Sequence, residues 1–207
     1  MPIKKIIKTP DYKCFFWKIE EDTDSLITEL NPDKEEIKEI QKIKHEKRKK
    51  QNIAARIMLN KCAKKKIKLN YFVNGKPFCT KYNHISISHS GLYCALVTSD
   101  KNTGIDLQYK NNKIKHLSSK FIHVKEQVII KKNNIKNLHF IWCAKEAIYK
   151  TLNTQCSLKE NIHITTIKDN KGHGYYTNHN IKIRYNIIFD IFSDYFIAIA
   201  VKDDRNL

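Results

Sequence analysis

Two carboxylates and a set of lysines hold the chemical potential of this 207-residue chain. In Trp142-Cys-Ala-Lys145-Glu146-Ala-Ile-Tyr-Lys150, the residues Trp142, Glu146 and Lys150 recur every four positions and so share one helix face, with Lys145 about a quarter-turn away. Upstream, Thr103-Gly-Ile-Asp106-Leu-Gln108-Tyr109 reads as a strand with Ile105 and Leu107 on one face and Asp106 and Gln108 on the other. A desolvated aspartate between apolar neighbours requires a compensating partner, and a divalent cation shared by Asp106 and Glu146 would serve. Two carboxylates completed by waters and substrate phosphate oxygens are a usual way to hold magnesium. An ordinary helix also explains the first window, with Trp142 anchoring it in a core and Glu146 paired to Lys150 on the surface.

A second group suits anions. On an extended His84-Ile-Ser-Ile-Ser88-His89-Ser90, the serines Ser86, Ser88 and Ser90 share a face with His84, and His89 points the other way unless the strand stops near Ser88. Hydroxyls, an imidazole and free backbone N–H groups at a turn receive phosphate, and Lys76 adds charge. The denser basic run Lys44, Lys47, Arg48, Lys49, Lys50 and Arg56 reads either as a solvated helix face or as an anion surface. No Walker-type loop or dinucleotide fingerprint is present, and Gly172-His-Gly174 reads as a turn.

The elements that must position these groups follow from periodicity. Tyr12 to Glu20 is aromatic-rich and strand-like. Asn31 or Asp33 caps a following helix, with Asp33 and Glu36 at capping-box spacing. From Lys34 to Lys66 neither proline nor glycine occurs, and Ile37, Ile40, Ile43, Ile53, Ile57, Met58 and Cys62 recur at helical intervals. The polar run between Ile43 and Ile53 predicts a break, hence two helices. After the Asn74-Gly75-Lys76-Pro77 turn come strands at His84–Ser88, Leu92–Val97 and Thr103–Tyr109. Helical pattern returns over Lys115–Lys131 and Leu138–Leu152, then strands over Asn161–Ile167, Asn180–Tyr185 and Tyr195–Val201. This order is α+β.

The 39 Lys and Arg against 21 Asp and Glu give a formal charge of +18, which by itself suits an anionic partner such as nucleic acid, an anionic membrane surface, a phosphorylated cofactor or an acidic protein. Six cysteines form no Cys-x-x-Cys pair, which argues against a zinc framework and for thiols in a reducing compartment. No apolar run reaches membrane-spanning length and Met1 to Glu20 lacks the apolar core of a signal peptide, so the expected location is the cytoplasm, with no membrane partner.

Taken in order, Gly75-Lys76-Pro77, Ser88-His89-Ser90, Gly104-Ile-Asp106-Leu-Gln108 and Trp142-Cys-Ala-Lys145-Glu146-Ala-Ile-Tyr-Lys150 resemble the motifs of the 4'-phosphopantetheinyl transferase superfamily, in its larger monomeric, surfactin-synthetase-activating type. The resemblance implies two similar α/β lobes related by a pseudo-twofold axis, here 1–102 and 103–207, the second carrying the metal ligands and the Trp-x-x-Lys-Glu helix. It implies coenzyme A and Mg2+ in the cleft between lobes. The implied reaction transfers the 4'-phosphopantetheine arm of coenzyme A to a serine of an acidic acyl or peptidyl carrier protein, releasing adenosine 3',5'-bisphosphate. It marks Asp106, Glu146 and Gln108 as metal-site residues, Glu146 also as the group that deprotonates the serine, and Lys145 and Lys150 as pyrophosphate contacts. Lys76, Ser88 and His89, with Arg48 and Arg56 as weaker matches, are implied contacts to the coenzyme A phosphates. The family often has Glu where Gln108 stands, so here an amide oxygen or a water would complete the metal shell. Thr151-Leu-Asn-Thr also departs from a commonly glycine-containing segment near the carrier side. The competing reading is a basic nucleic-acid-binding protein or a catalytically degenerate homologue that only holds coenzyme A.

Overall fold

The computed structural model of the chain describes residues 3–130, 134–179 and 181–204. Lys131 and Asn180, at the ends of two expected elements, lie outside the described residues. The chain divides into two compact units, Met1–Asp100 and Lys101–Leu207. Among the described residues no helix is long and apolar enough to cross a membrane.

The first unit runs β1 (Ile3–Lys8), β2 (Tyr12–Lys18), α1 (Thr23–Leu30), α2 (Lys34–Gln41), α3 (Glu46–Ala63), β3 (Asn70–Tyr71), β4 (Pro77–Phe78), β5 (His84–Ser90) and β6 (Tyr93–Ser99). Its main sheet is antiparallel in the order β1-β2-β6-β5. Phe15 and Trp17 of β2, Cys94 and Leu96 of β6, and Ile85 of β5 pack with Ile53, Ile57 and Met58 of α3. The capping box at α2 forms as spaced: Asp33 Oδ1 accepts from Glu36 N at 2.8 Å, and Glu36 Oε2 accepts from Asp33 N at 3.3 Å.

The break between the two long helices lies at 42–45, earlier than the polar run suggested. Glu46 to Asn52 instead forms the first turns of α3. Its Glu, Lys, Arg and Gln are good helix formers, and Glu46, Lys47 and Arg48 at the start of the helix are exposed, so the first turn needs no apolar residues. α1 gave little sequence signal because it buries only Leu26 and Leu30 and is fixed locally by Asp22, whose Oδ1 accepts from Ser25 N at 2.7 Å.

The second unit runs β7 (Thr103–Tyr109), α4 (Ile114–Phe121), a 3-10 turn (Val124–Glu126), α5 (Gln127–Ile130), α6 (Ile135–Thr151), β8 (Ile162–Lys168), β9 (Lys171–Asn178), β10 (Ile181–Phe192) and β11 (Tyr195–Lys202). The strands form an antiparallel sheet in the order β7-β11-β10-β9-β8, and α6 packs on it over β7 and β11. Gly172 and Gly174 do not form a turn. Both lie inside β9, where a Cβ at Gly172 would meet Thr166 O at 2.3 Å and one at Gly174 would meet His163 O at 2.8 Å. The turn is Asp169-Asn170, both at positive φ.

His139 of α6 is buried and neutral in the fold. Its Nε2 accepts from Asn111 N at 3.1 Å, its Nδ1 donates to Ile135 O at 2.9 Å, and its ring stacks on Phe196 at 4.4 Å. Burial pushes its pKa below the usual histidine range, with Ile135 O opposing and Lys110 adding to the shift. A base with a lowered folded pKa gives stability that is present above about pH 6.5 and is lost as pH falls below it, because the unfolded chain then takes up the proton. The melting temperature should therefore fall as pH drops below about 6.5, and His139→Gln should flatten that slope; an unchanged slope in the variant contradicts the assignment.

Candidate metal and phosphate site

The second unit brings Asp106, Glu146 and Lys150 together, and a glycine makes this possible. A Cβ on Gly104 would lie 1.9 Å from Ala147 O, so only a bare Cα lets α6 settle this close to β7. The strand period then puts Asp106 on the same face as Gly104, towards α6, opposite the small Ala198 of β11. Gly104→Ala should push α6 off β7 and cost about 3 kcal/mol, the upper part of the usual overpacking range. Denaturant unfolding measures the cost, and a loss well under about 1 kcal/mol would show that the contact is soft.

Asp106 is 7% exposed. Lys150 Nζ donates to its Oδ1 at 2.7 Å and to Ile105 O at 3.0 Å. The surface pair of Glu146 with Lys150 is thus replaced by a strand-to-helix pair of Asp106 with Lys150, which supplies the charge compensation that the strand itself lacks. Burial raises the Glu146 carboxyl above the ordinary carboxylate range, the neighbouring Asp106 charge raises it further, and Lys150 opposes both. Cys143, one helical turn before Glu146, has a buried thiol whose Sγ donates to Phe196 O at 3.6 Å. Burial pushes that thiol well up, and Asp106, to which it also hydrogen-bonds, pushes it further. It is therefore a neutral donor beside the aspartate. Gln108 follows on the Asp106 face of β7, half-buried and opposite Phe196.

Two carboxylates close enough to repel each other, next to a neutral amide, are a donor set that fits one hard cation retaining water and phosphate ligands. Among the described residues no group of three His, Cys, Asp or Glu is disposed to hold a metal, in keeping with glutamine at 108.

Lys145 does not join this group. It is 0% exposed, and its Nζ donates to Glu126 Oε2 at 2.7 Å, Phe121 O at 2.7 Å and Leu158 O at 2.9 Å, which engages all three of its N–H bonds. Burial lowers its pKa, and Glu126 counters most directly. Glu126 in turn accepts from His123 N at 2.8 Å and Ile164 N at 2.7 Å. The pair fastens α6 to α4, the 3-10 turn, the loop before β8 and β8 itself. Neither Glu126 nor Cys143 was singled out from sequence. The i, i+3 spacing of His123 and Glu126 is a capping-box signal, disguised because histidine stands in the capping position.

The first unit holds the other proposed phosphate contacts. β5 continues through Ser90, so Ser88 and His89 point to opposite faces: Ser88 is buried and His89 exposed. His89 pairs with Cys94 of β6, whose Sγ donates to Gln51 O of α3 at 3.8 Å, so His89 is on the α3 side of the sheet. Arg48 is exposed one turn before Gln51 on the same helical stripe. Lys76 ends the Asn74-Gly75 turn, where Gly75 adopts φ 82° and Lys76 N donates to Asn74 Oδ1 at 3.1 Å; partial burial lowers the Lys76 pKa. Arg56 is 2% exposed and bridges Glu36 at 3.2 Å and Glu39 at 2.8 Å, while its Nε donates to Asn52 Oδ1 at 3.0 Å. It also lines a cavity of about 480 Å³ with Asn52, Tyr71 and Phe78.

A family model described as the 4'-phosphopantetheinyl transferase superfamily matches residues 102–200, the stretch that contains Asp106, Glu146 and Lys150. The match shows that this stretch is similar to that superfamily. No curated protein matches the chain.

Proposed function

We propose that the protein transfers the 4'-phosphopantetheine arm of coenzyme A to a serine of an acidic acyl or peptidyl carrier protein, with Mg2+, as a single chain of the larger type. The observation that carries this reading is the meeting of Asp106, Glu146 and Lys150 within the stretch matched by the family model.

In this reading Asp106 and Glu146 hold the metal, with Gln108 or a water beside them. A metal held there would supply Lewis acidity toward the pyrophosphate. Lys150 receives phosphate oxygens of the leaving half, while Lys76, Ser88, His89 and Arg48 bind the remaining phosphates. Glu146 takes the proton of the acceptor serine directly or through one water. The serine oxygen forms the new bond to the phosphorus that bears pantetheine. The bond from that phosphorus to the bridging oxygen breaks, and adenosine 3',5'-bisphosphate departs. Lys145 and Glu126 act indirectly by keeping α6 in place, and Arg56 likewise holds α3 to α2. The net charge of +18 favours encounter with an acidic carrier.

Release of adenosine 3',5'-bisphosphate, followed by chromatography, tests this. One equivalent per apo carrier, dependent on both carrier and Mg2+, is expected. Coenzyme A binding without release, or salt-sensitive nucleic-acid binding with no affinity for coenzyme A, would overturn it.

A further inference from the structure

The place beside Asp106 that the proposed metal needs is held by an ammonium. Lys150 Nζ contacts Asp106 Oδ1 at 2.7 Å and the backbone oxygen of Ile105 at 3.0 Å. Three features fix it there. The aspartate is almost fully buried, so its charge needs a partner. Lys150 lies in the last turn of α6, where the helix favours a cation. Glu146, one turn earlier, adds a second negative charge to the same neighbourhood. The lysine side chain is 27% exposed and ends a flexible stem, so it has a route away from Asp106 that a rigid group would lack.

We propose that Lys150 is a resident counter-ion that competes with metal for Asp106 and yields far more readily when a phosphate is present to receive its ammonium. The inference rests on the reading of Asp106 and Glu146 as the metal-holding pair. The divalent cation alone then binds weakly, because it must expel Lys150 into solvent. With a diphosphate present, the expelled ammonium gains an anionic partner as the cation gains further oxygen ligands. Metal and diphosphate therefore bind cooperatively, each raising the affinity for the other by the same factor. The cation enters with, or after, the phosphorylated donor.

The test is Mn2+ binding to the whole protein without coenzyme A, read by electron paramagnetic resonance, with folding checked by circular dichroism. Lys150→Met should bind Mn2+ about tenfold tighter than wild type, since a competing charge at contact distance weakens a site by at least that factor, whereas Lys150→Arg should stay weak. In wild type, acylation of Lys150 by an amine-reactive reagent, read by peptide mass, should rise when Mn2+ is added. That second readout does not depend on the variant folding. If Asp106→Asn abolishes Mn2+ binding but Lys150→Met leaves it unchanged, or if Lys150 acylation does not respond to bound Mn2+, the counter-ion inference fails. If Asp106→Asn leaves Mn2+ binding intact, the metal reading itself fails.

Discussion

Lys145→Ala should destabilise the second unit by about 3–5 kcal/mol, the usual cost of removing one member of a buried ion pair. The size follows from what remains behind. Glu126, 1% exposed, would keep its charge with two backbone N–H donors but no cation, and Phe121 O and Leu158 O would both lose a donor. Lys145→Met combined with Glu126→Gln should recover a large part of the loss, because neutral partners leave no buried charge. Urea unfolding at neutral pH measures both. A Lys145→Ala protein with wild-type stability and impaired transfer would instead make Lys145 a direct phosphate contact, the role that the motif resemblance gave it.

Asp106→Ala and Glu146→Ala should each lower transfer by about 10²–10³-fold or more while the protein stays folded, the range seen when one electrostatic stabiliser of a transition state is removed. Glu146→Gln carries a second, opposite expectation for stability. A carboxyl whose folded pKa is raised binds its proton more tightly in the fold than in the unfolded chain. Its favourable contribution is therefore present at low pH and is lost as pH rises through the raised pKa. At neutral pH the Glu146 charge is a net cost to folding, so the neutral amide should melt at a higher temperature than wild type while being deficient in transfer. Such inverse coupling of stability and activity separates a functional carboxylate from a structural one. A Glu146→Gln protein that melts lower and transfers normally would remove Glu146 from the site.

Sequence alone placed most strands and helices because their signals are local. The aromatic run of β2, the capping box before α2 and the apolar stripe of α6 each act within a few residues. What it misjudged depends on distant neighbours. Gly172 and Gly174 looked like turn residues, yet they are strand glycines forced by carbonyl oxygens of β8. The two lysines of the α6 motif looked alike, but tertiary packing separates them: Lys150 reaches β7 and Asp106, whereas Lys145 is consumed by Glu126 and two carbonyls. The alternation that put Asp106 and Gln108 on one face was readable from β7 itself. That this face turns towards α6 was not, since it depends on Gly104 meeting Ala147 across the packing interface.

The most direct measurement is the intact mass of an apo carrier protein incubated with this protein, coenzyme A and Mg2+. The account predicts addition of one phosphopantetheine group, absent when the carrier serine is replaced by alanine and strongly reduced with Asp106→Ala or Glu146→Ala. An unmodified carrier across several acyl and peptidyl types and divalent cations, or equal modification by the Asp106→Ala and Glu146→Ala proteins, would contradict it.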